Sequence, residues 1–217
     1  MSKPKYQLYY FNARGRAEVA RFILKQAEVD FVDHRYEPPE WPAAKKQLVE
    51  ANKLPFGQVP MLELEDGTTI AQTLAIARYL AKKHNMAGEN DLQAATIDSY
   101  VDGFEDFFHD IHPWMMANFR EKDTEKAAEL KKKVLTEAVP NRFPRYEAFL
   151  AKNSSGWFVG NKLSWVDLLI AEWLHRLQEI LDPDLLKDYP KLKAHQEKVF
   201  ALPNIKKWVE ERPKTSV

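Results

Sequence analysis

The chain of 217 residues is 45% apolar, 12% aromatic and 29% charged. That is the makeup of a globular protein long enough to bury its own core, and it excludes a disordered or fibrous chain. Lys and Arg number 32, as do Asp and Glu, so no net positive field draws in a nucleic-acid backbone or an anionic lipid surface.

Cysteine is absent, which removes disulfides, thiolate metal sites and a cysteine nucleophile together. Any thiol chemistry must use a thiol brought by the ligand. No signal-length apolar segment follows the N-terminus and no run of about 18 apolar residues occurs. A cytoplasmic chain without nucleic-acid or membrane partners is expected.

Tyr6 to Phe11 is rich in β-formers and runs into Asn12-Ala13-Arg14-Gly15, after which Ala17, Ala20, Leu24 and Ala27 recur at helical spacing. With the apolar-polar run Phe31 to Tyr36, this predicts a βαβ unit with parallel strands. Pro38-Pro39 and Trp41-Pro42 open an irregular segment, with a short helix over Ala43 to Ala51. Met61 to Glu65, the Asp66-Gly67 turn and Thr68 to Ala71 predict a hairpin, followed by a helix through Leu74, Ala77 and Leu80. That order is thioredoxin-like.

From residue 91 the strand signal ends. Ile97, Tyr100, Val101, Phe104, Phe107, Phe108, Ile111 and Met115 form one apolar helical stripe, and Pro113 is expected to interrupt that helix. Leu130, Val134 and Ala138 continue into a second helix, which Pro140 and Pro144 should bend or break. Ser164-Trp165-Val166-Asp167 reads as a capping box opening a third. Shorter helices are expected after Leu185 and Pro190 and over Ile205 to Glu211. The fold class is an α/β thioredoxin-like domain at residues 1–84 plus an all-α domain at residues 91–217.

Tyr10 ends the first strand just before a helix N-terminus, with Arg14 and Arg16 nearby. It is either a donor to an anion or a strand aromatic like Tyr6 and Tyr9. Pro60 after Gln58-Val59 is either a strand-start proline or a cis proline that turns Val59 outward to pair with a peptide-like ligand. Gln72-Thr73 opens a helix whose free amides suit a carboxylate, the alternative being plain capping by Thr73. Asp98, Asp102, Glu105, Asp106 and Asp110 form an acidic face, either solvated or facing an amine, a cation or a partner subunit. His109 and His112, one turn apart near Asp106, have too few ligands for a transition-metal site. Trp114 is core filler or the wall of an apolar pocket.

Together these motifs resemble the sigma class of cytosolic glutathione transferases, which includes haematopoietic-type prostaglandin D synthases. The resemblance is carried by Tyr10-Phe11-Asn12, Arg14-Gly15-Arg16-Ala17-Glu18, Glu40-Trp41-Pro42, Leu54-Pro55-Phe56-Gly57-Gln58-Val59-Pro60, Gln72-Thr73-Leu74-Ala75-Ile76-Ala77-Arg78-Tyr79-Leu80, Gly160-Asn161 with Ser164-Trp165-Val166-Asp167, and Arg212-Pro213. It implies a homodimeric detoxification enzyme that conjugates reduced glutathione, its co-substrate, to soft hydrophobic electrophiles. Glutathione-dependent prostaglandin isomerisation or a non-enzymatic, ligand-carrying or crystallin-like role are the alternatives.

By the same resemblance Tyr10 and Arg16 are catalytic, Trp41 and Lys45 hold the glycyl end, and Gln58, Val59 and cis Pro60 meet the cysteinyl backbone. Gln72 and Thr73 hold the γ-glutamyl carboxylate, and Asp106 of a second subunit meets the γ-glutamyl amine. Phe11, Arg14 and Trp114 line the electrophile pocket, and the all-helical domain contributes to it. No metal ligand is assigned in this site; the interface cluster Asp102, Glu105 and Asp106 is a candidate for magnesium. The chain departs from the pattern in three places: Thr73 replaces Ser, Glu105 replaces Asp, and Lys46 to Lys53 is several residues longer.

Overall fold

The computed structural model describes residues 5–215. The described residues divide into two units, one comprising residues 5–87 and 200–215 and the other residues 88–199.

In the first unit, β1 (Tyr6–Phe11), α1 (Glu18–Gln26), β2 (Val32–Tyr36), α2 (Trp41–Glu50), β3 (Met61–Leu64), β4 (Thr69–Ala71) and α3 (Thr73–Lys83) follow in order. The sheet order is β2-β1-β3-β4, with β1 and β2 parallel and the other pairs antiparallel. The expected βαβ unit and Asp66-Gly67 hairpin are present. One-residue alternation sends Gln7, Tyr9, Met61 and Glu63 to one face and Leu8, Tyr10 and Leu62 to the other. On the first face Tyr9 and Met61 pack with Leu54, against which Tyr36, Trp41, Leu48 and Val59 close. There Tyr9 Oη donates to Glu63 Oε2 at 2.7 Å and Lys53 Nζ reaches both Glu63 oxygens at 2.8 Å.

The helix expected over residues 43–51 begins earlier, at Trp41, because a proline at residue 42 fits the first helical turn, where its missing N–H costs nothing. Residues 46–50 of the longer stretch lie in α2, and Lys53 just beyond the helix is the residue that binds Glu63.

In the second unit, α4 (Asp91–Met115) is capped by Asn90, whose side chain accepts from the Gln93 amide at 3.0 Å. Its buried stripe is Ile97, Val101, Phe104, Phe107, Ile111 and Trp114, with Tyr100, Phe108 and Met115 half-buried. Pro113 does not interrupt it: the helix runs through to Met115 and widens into a π-helical stretch only over Met116–Glu121. Burying Phe107, Ile111 and Trp114, at about 1.5–3 kcal/mol each, outweighs the roughly 3 kcal/mol that an internal proline costs.

The second helix likewise does not break. α5 (Thr124–Lys133) passes through a π-helical stretch, Val134–Ala138, into α6 (Val139–Lys152). Thr136, whose carbonyl the Pro140 ring would otherwise meet, lies inside the wide stretch, and widening the turn relieves that clash.

The capping box opens α7 (Trp165–Ile180) as expected: Asp167 Oδ2 accepts from the Ser164 amide and hydroxyl, both at 2.8 Å. Asp167 Oδ1 takes the Phe158 amide and His195 Nε2, both at 2.9 Å. Where a helix was expected after Leu185 the chain makes turns, and the next helix is α8 (Pro190–Phe200).

The last helix, α9 (Pro203–Glu211), departs from the expected 91–217 domain, because its contacts are with α1 in the first unit. The reason is a buried carboxylate, Glu18, to which Trp208 Nε1 donates at 2.9 Å and Arg212 Nη1 at 3.0 Å. Among the described residues no helix is long and apolar enough to cross a membrane.

Candidate functional site

Strand β1 delivers Tyr10 opposite Arg35 of β2, and the chain then turns through residues 12–14 into a short 3-10 turn, Gly15–Ala17, that leads into α1. Tyr10 Oη accepts a hydrogen bond from the Arg16 amide at 3.1 Å. Only glycine fits between them: at φ +44° a Cβ on residue 15 would lie 2.6 Å from Tyr10 Oη. The Arg16 side chain extends away from that bond, and its Nε donates to Thr73 Oγ1 at 3.3 Å. Thr73 opens α3, and Gln72 before it has φ 74° and ψ 123° with no side chain capping the first turn. A non-glycine residue held there costs about 1–3 kcal/mol. The conformation leaves the first amides of α3 without a side-chain acceptor, as an anion-binding end needs.

These elements enclose a cleft of about 370 Å³ whose lining includes Phe11, Arg16, Trp41, Lys45, Gln58, Val59, Pro60, Gln72 and Thr73. Eight of them were expected at the glutathione site, whereas Phe11 was expected in the electrophile pocket. The Val59–Pro60 bond is cis, as anticipated. Phe56, Gly57 and Ala71 complete the lining. The lining holds two cationic side chains, Arg16 and Lys45, and no carboxylate, so it favours an anionic ligand.

Residues 6–82 match the family model for the glutathione S-transferase N-terminal domain, and residues 109–212 match that for the C-terminal domain. The chain is 42% identical to glutathione S-transferase 1 of Ascaris suum over 98% of each sequence. It belongs to the glutathione S-transferase family. Hematopoietic prostaglandin D synthase of Mus musculus is 38% identical over 99% of this chain and 100% of that one. The crystal structure of a monomeric glutathione S-transferase from the hookworm Necator americanus superposes with a TM-score of 0.90 at 36% identity, covering 98% of this chain and 99% of that one. These relatives are consistent with the sigma-class resemblance.

The other residues expected of this transferase lie elsewhere. Tyr10 is not itself among the lining residues and adjoins the cleft through its bond to Arg16; Arg14 is buried and does not line the cleft. Asp106 is in the second unit, 63% exposed, with Arg142 Nη1 at 3.4 Å. Trp114, also in that unit, is 2% exposed. Its ring meets Phe119 edge-on and lines a separate cavity of about 410 Å³ with Asp110, Leu130 and Val134. Among the described residues no three His, Asp or Glu side chains are grouped to hold a metal ion, so Asp102, Glu105 and Asp106 form no such centre.

Sequence reasoning missed Phe56, Gly57 and Ala71, and also the charged core under the Tyr10 turn. Glu18 and Arg21 share the buried face of α1 with Ala17, Ala20 and Leu24. That intrusion of charge into an apolar stripe is the signal that could have found them. Burial pushes the Glu18 carboxyl up, but Arg21 and Arg212 beside it outweigh burial and hold it below the ordinary carboxylate value.

Proposed function

We propose that the cleft binds reduced glutathione with its sulfur beside Tyr10 Oη, and that the enzyme transfers the thiolate to soft hydrophobic electrophiles. The observation that carries this is the Tyr10–Arg16 bond. Because the phenol oxygen accepts the Arg16 amide, its own proton is left to donate to a sulfur anion. A free thiol titrates near 8.5, and lowering it by about two units takes roughly 2.7 kcal/mol of preferential thiolate stabilisation. A donor to an anion supplies about 1.5–3 kcal/mol and the start of a helix about 0.3–1 kcal/mol. The thiol proton goes to solvent, the sulfur forms its bond to the electrophilic carbon, and the leaving group departs with its electron pair.

Trp41 and Lys45 then take the glycyl carboxylate, Gln58 and Val59 the cysteinyl backbone, and Gln72 and Thr73 the γ-glutamyl carboxylate. In a homodimer acting in the cytoplasm, Asp106 of the second subunit meets the γ-glutamyl amine. Phe11, Arg14 and Trp114 are assigned to the electrophile. The 38% identity to the mouse prostaglandin D synthase favours a second reading, in which the same thiolate isomerises a prostaglandin endoperoxide.

Tyr10→Phe tests both readings. It should leave glutathione affinity within a few-fold and lower conjugation by about tenfold to a thousandfold, the cost of one preorganised donor to an anion. The pH dependence of kcat/KM, measured with an aryl chloride and with prostaglandin endoperoxide, reads it. An unchanged rate and an unchanged thiol titration would overturn the mechanism.

A further inference from the structure

Beneath the Tyr10 turn lies an arginine with no solvent exposure. Arg21 Nη1 donates to the Ala13 carbonyl at 2.7 Å, to the Arg14 carbonyl at 3.3 Å and to Glu18 Oε2 at 2.9 Å. Its Nε reaches Asp33 at 3.1 and 3.2 Å. Its Nη2 is also buried and has no hydrogen-bond partner among the described residues, and burying a charge is costly where pairing is incomplete, so an apolar side chain of similar volume would be a simpler way to pack α1. What the guanidinium does and an apolar group cannot is fix two consecutive carbonyls.

Those carbonyls belong to the residues immediately before Gly15 and Arg16, whose turn supplies the amide on Tyr10 Oη. The same turn is tied to β2, where the Asn12 amide donates to the Tyr36 carbonyl at 2.9 Å. Arg35, which pairs with Asp33 at 2.8 Å, also reaches Asn12 Oδ1 at 3.3 Å. Glu18, the other anchor of Arg21, is held from the C-terminal helix by Trp208 and Arg212.

We propose that Arg21 is a positioning residue for thiolate formation: braced by Glu18 and Asp33, it sets the turn that holds the Tyr10 oxygen, and α9 is part of that brace. This rests on the reading of Tyr10 as the thiolate donor. A lysine keeps the charge but is a single point donor, unable to reproduce a planar fork that engages carbonyls and carboxylates at once. A shift of the turn by a fraction of an ångström alters the donor geometry at the sulfur and leaves Lys45, Trp41 and Val59 in place, so it should appear far more in kcat than in glutathione KM, which it reaches only through the Arg16–Thr73 bond.

The test uses the full-length enzyme with reduced glutathione as the probe and an aryl chloride as the electrophile. Arg21→Lys, Trp208→Phe, Tyr10→Phe and the Tyr10→Phe/Arg21→Lys pair are compared by ultraviolet titration of the bound thiolate, by kcat and KM, and by melting temperature. Arg21→Lys should lower kcat by about tenfold to a hundredfold with KM within a few-fold, and move the bound thiol's titration toward its free value. Trp208→Phe, which removes one hydrogen bond on Glu18, should do the same to a smaller extent, and it decides the matter if Arg21→Lys does not fold. In the double variant, Arg21→Lys should add nothing to the titration shift of Tyr10→Phe, the non-additivity of a residue acting through another. A lowered melting temperature with unchanged titration and kcat would make Arg21 a packing residue and overturn the proposal, leaving Tyr10's role standing. No shift in Tyr10→Phe itself would overturn the role of Tyr10 and, with it, that of Arg21.

Discussion

Replacing Gly15 with alanine puts a methyl group against the residue proposed to hold the thiolate. The added carbon would lie 2.6 Å from Tyr10 Oη, 2.7 Å from Cε1 and 3.0 Å from Cζ. To restore ordinary contact at 3.4 Å the hydroxyl must retreat by roughly 0.8 Å, unless the turn moves instead. Either motion disrupts the 3.1 Å bond from the Arg16 amide. A misplacement approaching 1 Å at a reacting centre costs up to about 10²-fold, so kcat/KM with an aryl chloride should fall by roughly tenfold to a hundredfold. Alanine at φ +44° also pays about 1–2 kcal/mol for a left-handed backbone. In a chain of this size that lowers Tm by roughly 2–8 °C. The assay pairs steady-state kinetics with a melt and with ultraviolet titration of the bound thiolate. The reasoning is refuted if the variant melts lower yet keeps full kcat and an unshifted thiol, since Tyr10 would then be insensitive to its nearest neighbour.

Two further outcomes follow from groups outside the cleft. Burial pushes the Glu63 carboxyl up, but the hydrogen bonds from Lys53 and Tyr9 outweigh it and hold the carboxyl below its ordinary value. Its stabilisation is therefore present above the ordinary carboxylate range and lost as pH falls through the folded value. Lys53→Met should cost about 1–3 kcal/mol at neutral pH, and the gap from wild type should narrow in melts taken down to about pH 4; a gap independent of pH would dismiss the pairing. Asp106→Ala should raise glutathione KM with little change in kcat, because a contact with the γ-glutamyl amine serves ground and transition state alike. Calorimetry with sedimentation checks it, and equal affinity or a monomer in solution would reduce Asp106 to a surface partner of Arg142.

How far the sequence could be read depended on whether the deciding contact was local. Alternation in Tyr6–Phe11, the Asp66-Gly67 turn and the Ser164–Asp167 box are set within a few residues, and each formed where expected. The cleft residues were legible as motifs flanking those elements. The failures share a long range. Pro113 and Pro140 signalled breaks, but tertiary packing and two π-helical stretches carried the helices through. Nothing near Trp208 in the sequence says that its indole nitrogen donates to Glu18, 190 residues earlier. Trp114 matched a pocket motif, yet its 2% exposure shows how heavily the same ring also serves the core of the helical unit.

The division of labour in the cleft follows from which atoms touch the reacting sulfur. In the proposed site Lys45, Trp41 and Gln72 meet only the ends of the tripeptide, and such groups bind substrate and transition state equally, so they set KM and not the chemical step. In the proposed mechanism Tyr10 meets the charge on sulfur, and its placement depends on Gly15 for space and Arg16 for the amide. Arg16 then joins the two functions in one residue: its backbone N–H holds the phenol, and its guanidinium holds the Thr73 hydroxyl. A ligand that orders Thr73 through its carboxylate thereby also steadies the turn on which the thiolate donor rests, so occupancy of the γ-glutamyl end should sharpen the geometry at the sulfur. On this reading a thiol lacking that end would meet the same tyrosine in a less constrained turn, and tripeptide recognition and thiolate formation would be coupled through the single side chain of Arg16.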